Sequence, residues 1–134
     1  MIAAAALQAA IHARLIGDTG VTTLLGGPKV HDRTPPDEVF PYVTFGATAS
    51  QDWSTGTERG DEHLMIINVW SRQQGKKQVL DIAEAIITAL TVTPLLPIGH
   101  RVILLRHEGV NANYDPALRG YRATLRFEAL TEVL

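Results

Sequence analysis

The stretch Phe40-Pro41-Tyr42-Val43-Thr44-Phe45-Gly46 decides how this chain must fold. Aromatic and β-branched residues follow a proline, and strand entry is where proline's missing amide does least harm. A strand from Pro41 to about Ala49 is expected. The segment Gln51 to Gly60 is polar, carries two glycines, and reads as a long hairpin loop. Beyond it, His63 to Arg72 reads as a second strand, with Met65, Ile67 and Val69 on one face and Leu64, Ile66 and Trp70 on the other. Apolar residues on both faces predict a central strand, or one whose second face is covered by a partner.

Upstream, residues 3–16 have helical spacing, with Leu7, Ile11 and Leu15 four residues apart. Gly17 is expected to end that helix in a left-handed conformation, and Asp18 to cap a short second helix through Leu24-Leu25. Lys29 to Arg33 suits a short edge strand. Thr34-Pro35-Pro36-Asp37-Glu38 is a stiff connector, because its prolines cannot donate to a ladder. Downstream, Ser71 and Gln74 have capping-box spacing for a helix over 72–90, with Gly75 in its first turn. Its buried stripe is Val79, Ile82, Ala83, Ile86 and Leu90.

Two further strands follow, Arg101 to about Asn111 and Tyr121 to Thr131, joined by a turn over Asp115–Gly120. The last strand alternates, with Tyr121, Ala123, Leu125, Phe127 and Ala129 inward and Arg122, Thr124, Arg126 and Glu128 outward. The pattern predicts an α+β fold: an antiparallel sheet of about four strands, two main helices on one face, and a long hairpin loop between the first two strands. Residues 1–134 form one domain in this reading, at a length typical of one.

Composition narrows the function. Hydrophobic residues make up 46% and charged residues 19%, which places the chain among globular proteins. There is no cysteine, so disulfides, thiol catalysis and cysteine-ligated metals are excluded. Twelve basic against fourteen acidic side chains leave a formal charge of -2, without the basic excess of a phosphate binder. The apolar run Ile2–Ala6 is interrupted by Gln8, His12 and Arg14, too early for a signal peptide or a membrane span. A soluble, intracellular protein is expected.

No catalytic or cofactor-binding constellation emerges. The five histidines (12, 31, 63, 100 and 107) lack the helical pairing or His-x-Glu clustering of a zinc hydrolase. His107 and Glu108 would point to opposite faces of a strand. No Gly-x-Ser-x-Gly turn is present, and Leu25-Gly26-Gly27-Pro28-Lys29 is not followed by the helix a phosphate loop needs. Asp52, Glu58, Asp61 and Glu62 lie on or beside a polar loop, where carboxylates are ordinarily solvated. No enzyme, metal or cofactor is expected. Arginines 101, 106, 119, 122 and 126 concentrate in the last two strands. They read either as a basic stripe for a nucleic-acid backbone or as opposite charges alternating across paired strands, and the second is favoured. Trp53, beside Asp52, is either tucked back onto the body or offered to a partner.

Five segments carry a family resemblance: Phe40–Gly46, Asp52-Trp53-Ser54-Thr55, Arg59-Gly60-Asp61-Glu62-His63, Val69-Trp70-Ser71-Arg72 and Gly75-Lys76-Lys77. With the N-terminal helix leading to Leu24-Leu25-Gly26-Gly27, and Tyr121–Phe127, they span nearly the whole chain. In order and spacing they resemble the tail-terminator, or tail-completion, proteins of long-tailed phages, prophages and gene transfer agents. The resemblance implies a structural virion assembly protein that forms a head-to-tail homo-oligomeric ring, typically hexameric. That ring would cap the head-proximal end of the tail tube, end tube polymerisation and offer a surface to a head-completion (stopper) protein. DNA would pass through its lumen without sequence-specific binding.

The implied location is the host cytoplasm during assembly, then the virion or particle tail. Open sheet edges and the long hairpin loop suit such assembly. Trp53 and Arg59 of that loop, with Tyr114 and Arg119 of the last hairpin, are the expected interface contacts. Two other readings remain: a head-tail connector or adaptor on the portal side, and a small nucleic-acid-binding module.

Overall fold

The computed structural model describes every residue from Met1 to Leu134. Its order is α1 (Ala3–Gly17), α2 (Thr19–Leu25), β1 (Val30–His31), β2 (Tyr42–Asp52), β3 (Gly60–Ser71), α3 (Lys77–Thr91), β4 (His100–Asp115) and β5 (Gly120–Val133). The fold is α+β, as expected, but with five strands and three helices. The strands lie in the order β1-β2-β3-β5-β4. β1 runs parallel to β2, so the sheet is mixed, and every other pairing is antiparallel.

β3 is the central strand its two-sided apolar pattern predicts. Its register sets Met65 opposite Phe127, Ile67 opposite Leu125 and Val69 opposite Ala123. These residues are buried beneath Leu7, Ile11 and Leu15 of α1 and Val79, Ile82, Ile86 and Leu90 of α3. The period of 2 in the strands and the near-4 spacing in the helices thus meet in one core. Arg14 ties the two long helices together. Its guanidinium donates to the carbonyls of Ala89 (2.9 Å), Thr93 (2.8 Å) and Pro94 (3.0 Å), where α3 ends with unsatisfied acceptors.

Several boundaries move, each for a local reason. Gly17 stays helical, and α1 ends because Asp18 turns extended and accepts from the Val21 amide to cap α2. The left-handed residue comes later, at Gly26, with φ of 80°. α3 begins at Lys77 rather than 72, because β3 continues through Ser71 and the chain reverses at Gly75, where φ is 85°. Ser71 accepts from the Gln73 amide and bonds the Gln78 side chain, so the capping box with Gln74 does not form. β2 runs to Asp52 and β3 starts at Gly60, which shortens the hairpin loop to Trp53–Arg59. β4 and β5 likewise extend, leaving Pro116–Arg119 as their turn.

Neither edge of the sheet is a long regular strand, since β1 has only two residues and β4 is bulged. β4 carries bulges between Val102 and Leu104 and between His107 and Gly109, and β2 carries one between Phe45 and Thr48. Bulges at an edge twist the backbone away from a flat pairing geometry. No helix is long and apolar enough to cross a membrane.

Candidate interaction surfaces

The four expected contact residues form two pairs at opposite ends of the sheet. Trp53 and Arg59 close the β2–β3 hairpin, beside the ladder rung where Gly60 faces Glu132 and Glu132 faces Arg101. Tyr114 and Arg119 flank the β4–β5 turn, where Ser71 faces Tyr121 and Tyr121 faces Tyr114. The twelve residues of β3 between these rungs span roughly 36 Å.

At the first end, Trp53 both leans on the body and faces outward. A Cβ on Gly60 would stand 3.2 Å from the indole Cε3 and 2.8 Å from the Thr131 carbonyl oxygen, so glycine lets the ring lie close. The indole is still 43% exposed. Trp53 and Gly60 also bond through the backbone at 2.9 Å, and the Arg59 carbonyl accepts from the Val133 amide at 2.9 Å. Arg59 borders an open groove of about 700 Å³ together with Ile2, Asp61, His100, Ile98 and Val133. Ile2, Ile98 and Val133 are all exposed.

This end is acidic. Asp52, Glu58, Asp61, Glu62 and Glu132 meet only Arg59 and Arg101 among the side chains of the hairpin and its last rungs. Glu132 pairs with Arg101, and Gln51 donates to Glu62 at 2.5 Å. The Glu58 carboxyl is pushed above its ordinary range, first by its hydrogen bond with Glu132 and then by that group's charge. Two carboxyls crowd one guanidinium here.

The other end is aromatic and basic. Phe40, Tyr42 and Trp70 form a ladder, with ring centroids 4.9 Å and 6.4 Å apart. The Arg72 guanidinium lies 4.3 Å over Phe40, and Arg122 lies 5.4 Å from the centre of Trp70. Trp70 Nε1 donates to Thr44 Oγ1 at 3.0 Å. Tyr114 is 52% exposed and meets Tyr121 edge to face at 5.2 Å. Arg119 holds a left-handed φ of 51° in the turn, and its side chain is exposed.

The sequence reading missed this ladder as a unit, although its members stand in the segments that carry the family resemblance. Strand alternation was the available signal. Tyr42, Trp70 and Arg122 occupy facing register positions on the side away from the helices.

The arginines of the last two strands divide. Arg106 pairs with Glu128 across the strands (3.1 Å) and with Glu108 (3.4 Å), and Arg101 pairs with Glu132. Charge alternation therefore accounts for the half nearest the acidic end. Arg119 and Arg122 have no acidic partner.

Most histidines serve the fold. His12 Nε2 donates to the Val30 carbonyl at 3.0 Å, and His31 pairs with Glu38. His63 is buried between Ser50 Oγ (2.6 Å, on Nδ1) and Thr131 Oγ1 (2.9 Å, on Nε2), so it ties three strands together. Burial pushes its pKa down, partly opposed by Asp61 and reinforced by His100. His107 packs on Phe127 while Glu108 pairs with Arg106, so the two diverge. No three histidine or carboxylate side chains converge in a way that could hold a metal ion.

Residues 9–132 match the family described as tail completion protein gp17. The chain belongs to that family. It is accordingly a structural protein of a virion or particle tail. A solved chain from the virion of a native gene transfer agent particle is similar at 29% identity and a TM-score of 0.87, with 96% of each chain covered. The bacteriophage SPP1 gp17 protein shares the fold at 20% identity and a TM-score of 0.64, covering 96% of this chain and 91% of its own. No curated protein sequence matches.

Proposed function

We propose that this tail completion protein closes into a head-to-tail ring, hexameric as the family resemblance implies, on the head-proximal end of a finished tail tube. The ring stops tube polymerisation and presents a surface to a head-completion protein, while DNA passes through its lumen. The observation that carries this reading is the end-to-end likeness to a chain of a gene transfer agent virion, at 29% identity over 96% of both. The geometry supports it in two ways. The chain has two chemically different ends, as a heterologous contact between identical subunits requires. The exposed Trp53, Ile98 and Tyr114 stand at those ends. Assembly in the host cytoplasm precedes incorporation into the tail.

Native mass spectrometry, with and without tail-tube subunits, tests the ring. Replacing Trp53–Arg59 with a two-residue Asn-Gly turn should preserve the circular dichroism spectrum but abolish rings and give tails of uncontrolled length. Wild-type protein that remains monomeric in both settings, or a shortened variant with normal rings and normal tails, refutes the proposal. Copurification with portal protein instead of tube protein would assign the chain to the other side of the joint.

A further inference from the structure

The sheet is charged oppositely at its two ends. At the hairpin end, Asp52, Glu58, Asp61, Glu62 and Glu132 stand against Arg59 and Arg101. At the turn end, Arg72, Lys76, Lys77, Arg119 and Arg122 stand against Asp81 and Asp115. Of those two acids, Asp81 is occupied by Lys77 at 2.6 Å and Asp115 accepts the Ala117 amide at 3.0 Å. Lys29 just before β1 and Asp32, Arg33, Asp37 and Glu38 of the β1–β2 connector take one charge off that basic surplus. A chain whose overall charge is only -2 thus carries a surplus of three negative charges at one end and two positive charges at the other, roughly 36 Å apart, beyond the screening length at physiological salt.

From this charge separation we infer that the acidic β2–β3 hairpin end of one subunit docks on the aromatic–arginine end of the next copy. This rests on the ring reading and names the two surfaces that close the ring. Arg72 and Arg122 are held by stacking on Phe40 and Trp70, so less side-chain freedom is lost when a carboxylate arrives. A neighbour's cation would relieve the crowding of Glu58 and Glu132 around Arg101. Ile98 and Val133 beside the hairpin, and Tyr114 beside the receiving arginines, supply apolar area to match. The bulges in β4 and the two-residue length of β1 make edge-to-edge strand addition the poorer route. DNA is the other anion that these arginines suit. An acidic surface of opposite surplus on the same chain favours a second copy, because head-to-tail repetition satisfies both ends at once.

Charge exchange tests the contact. One variant carries Lys76→Glu and Arg119→Glu, the other Asp52→Lys and Glu58→Lys; all four positions are exposed. Each variant alone presents like charge at both meeting surfaces, and it should stay monomeric where the wild type forms rings. Mixed in equal amounts, the two should restore rings in which they alternate, seen by mass as equal copy numbers. Wild-type rings should weaken about tenfold or more between low and high salt.

Rings formed by either variant alone with wild-type stability overturn the contact and leave the ring reading standing. So do well-folded variants whose mixture fails to assemble. Loss of heparin retention by the Lys76→Glu, Arg119→Glu variant while its rings persist assigns the basic end to nucleic acid instead. Wild-type protein that never forms a ring overturns the ring reading, and this contact with it.

Discussion

Replacing Trp70 by alanine probes the sheet face that no helix covers. The indole stacks on Tyr42 at 6.4 Å and 30°, supports Arg122 at 5.4 Å and donates to Thr44 at 3.0 Å. An aromatic pair contributes about 1 kcal/mol, an exposed cation–π contact about 0.5–1, and a neutral hydrogen bond about 1. Trp70 is half-buried, so the total should fall near the bottom of the range of about 3–5 kcal/mol for a fully buried tryptophan. Trp70→Ala is therefore expected to cost about 3 kcal/mol. Trp70→Phe keeps a ring on Tyr42 and under Arg122 and loses mainly the bond to Thr44, at about 1 kcal/mol. For a chain of this length these losses correspond to roughly 10 °C and 4 °C in Tm.

Urea denaturation of the dilute, unassembled chain measures both, and a double-mutant cycle with Arg122→Ala isolates the cation–π coupling. An alanine variant within about 1 kcal/mol of wild type, or a phenylalanine variant as damaged as the alanine one, would refute the reasoning. The first result would mean that the uncovered face contributes no stability of its own. The second would mean that the Thr44 bond, rather than ring contact, holds the ladder.

Two other perturbations separate the elements of the fold. Arg14→Ala removes three charge-assisted bonds to the end of α3, at an expected cost of about 2–3 kcal/mol, and Arg14→Lys should recover only part, since an ammonium lacks the guanidinium fork; chemical denaturation of both variants checks this. His63 carries a pKa lowered by burial, so the unfolded chain takes up its proton first. Stability is then fully present above about pH 6.5 and declines as the pH falls below it, toward the folded-state value. His63→Gln should flatten the denaturation profile in that window. Glu38, held low chiefly by its bond to His31, contributes stability above its unfolded value that is lost only at more acid pH, so its loss should not blur the first window.

Much of the architecture was legible because it rests on local periodicity. The alternation of Tyr121–Ala129 gave the buried face of β5, and the two-sided pattern of residues 63–72 placed β3 at the centre of the sheet. Element ends were less legible, since they depend on pairing partners distant in sequence. β2 and β3 extend through Gln51, Asp52 and Asp61 because their backbones find each other, although those side chains alone read as loop. The Ser71–Gln74 spacing misled for the same reason. Ser71 is claimed by the ladder to Tyr121, and Gly75 resets the chain before a helix begins. The expected interface residues are aromatics and cations of the two hairpins. Only the register shows that they divide between two ends.

The order of residues by itself determined the secondary-structure types, the buried stripes, the lack of thiol chemistry and the family, because each is written in composition or short-range spacing. Tertiary structure alone decided where charge collects. Acids from β2, β3 and β5 gather at one end of the sheet, and arginines from β5, the last turn and the residue after β3 at the other. A side chain's electrostatic neighbours are set by strand register and chain reversal, and neither is visible until the sheet has formed.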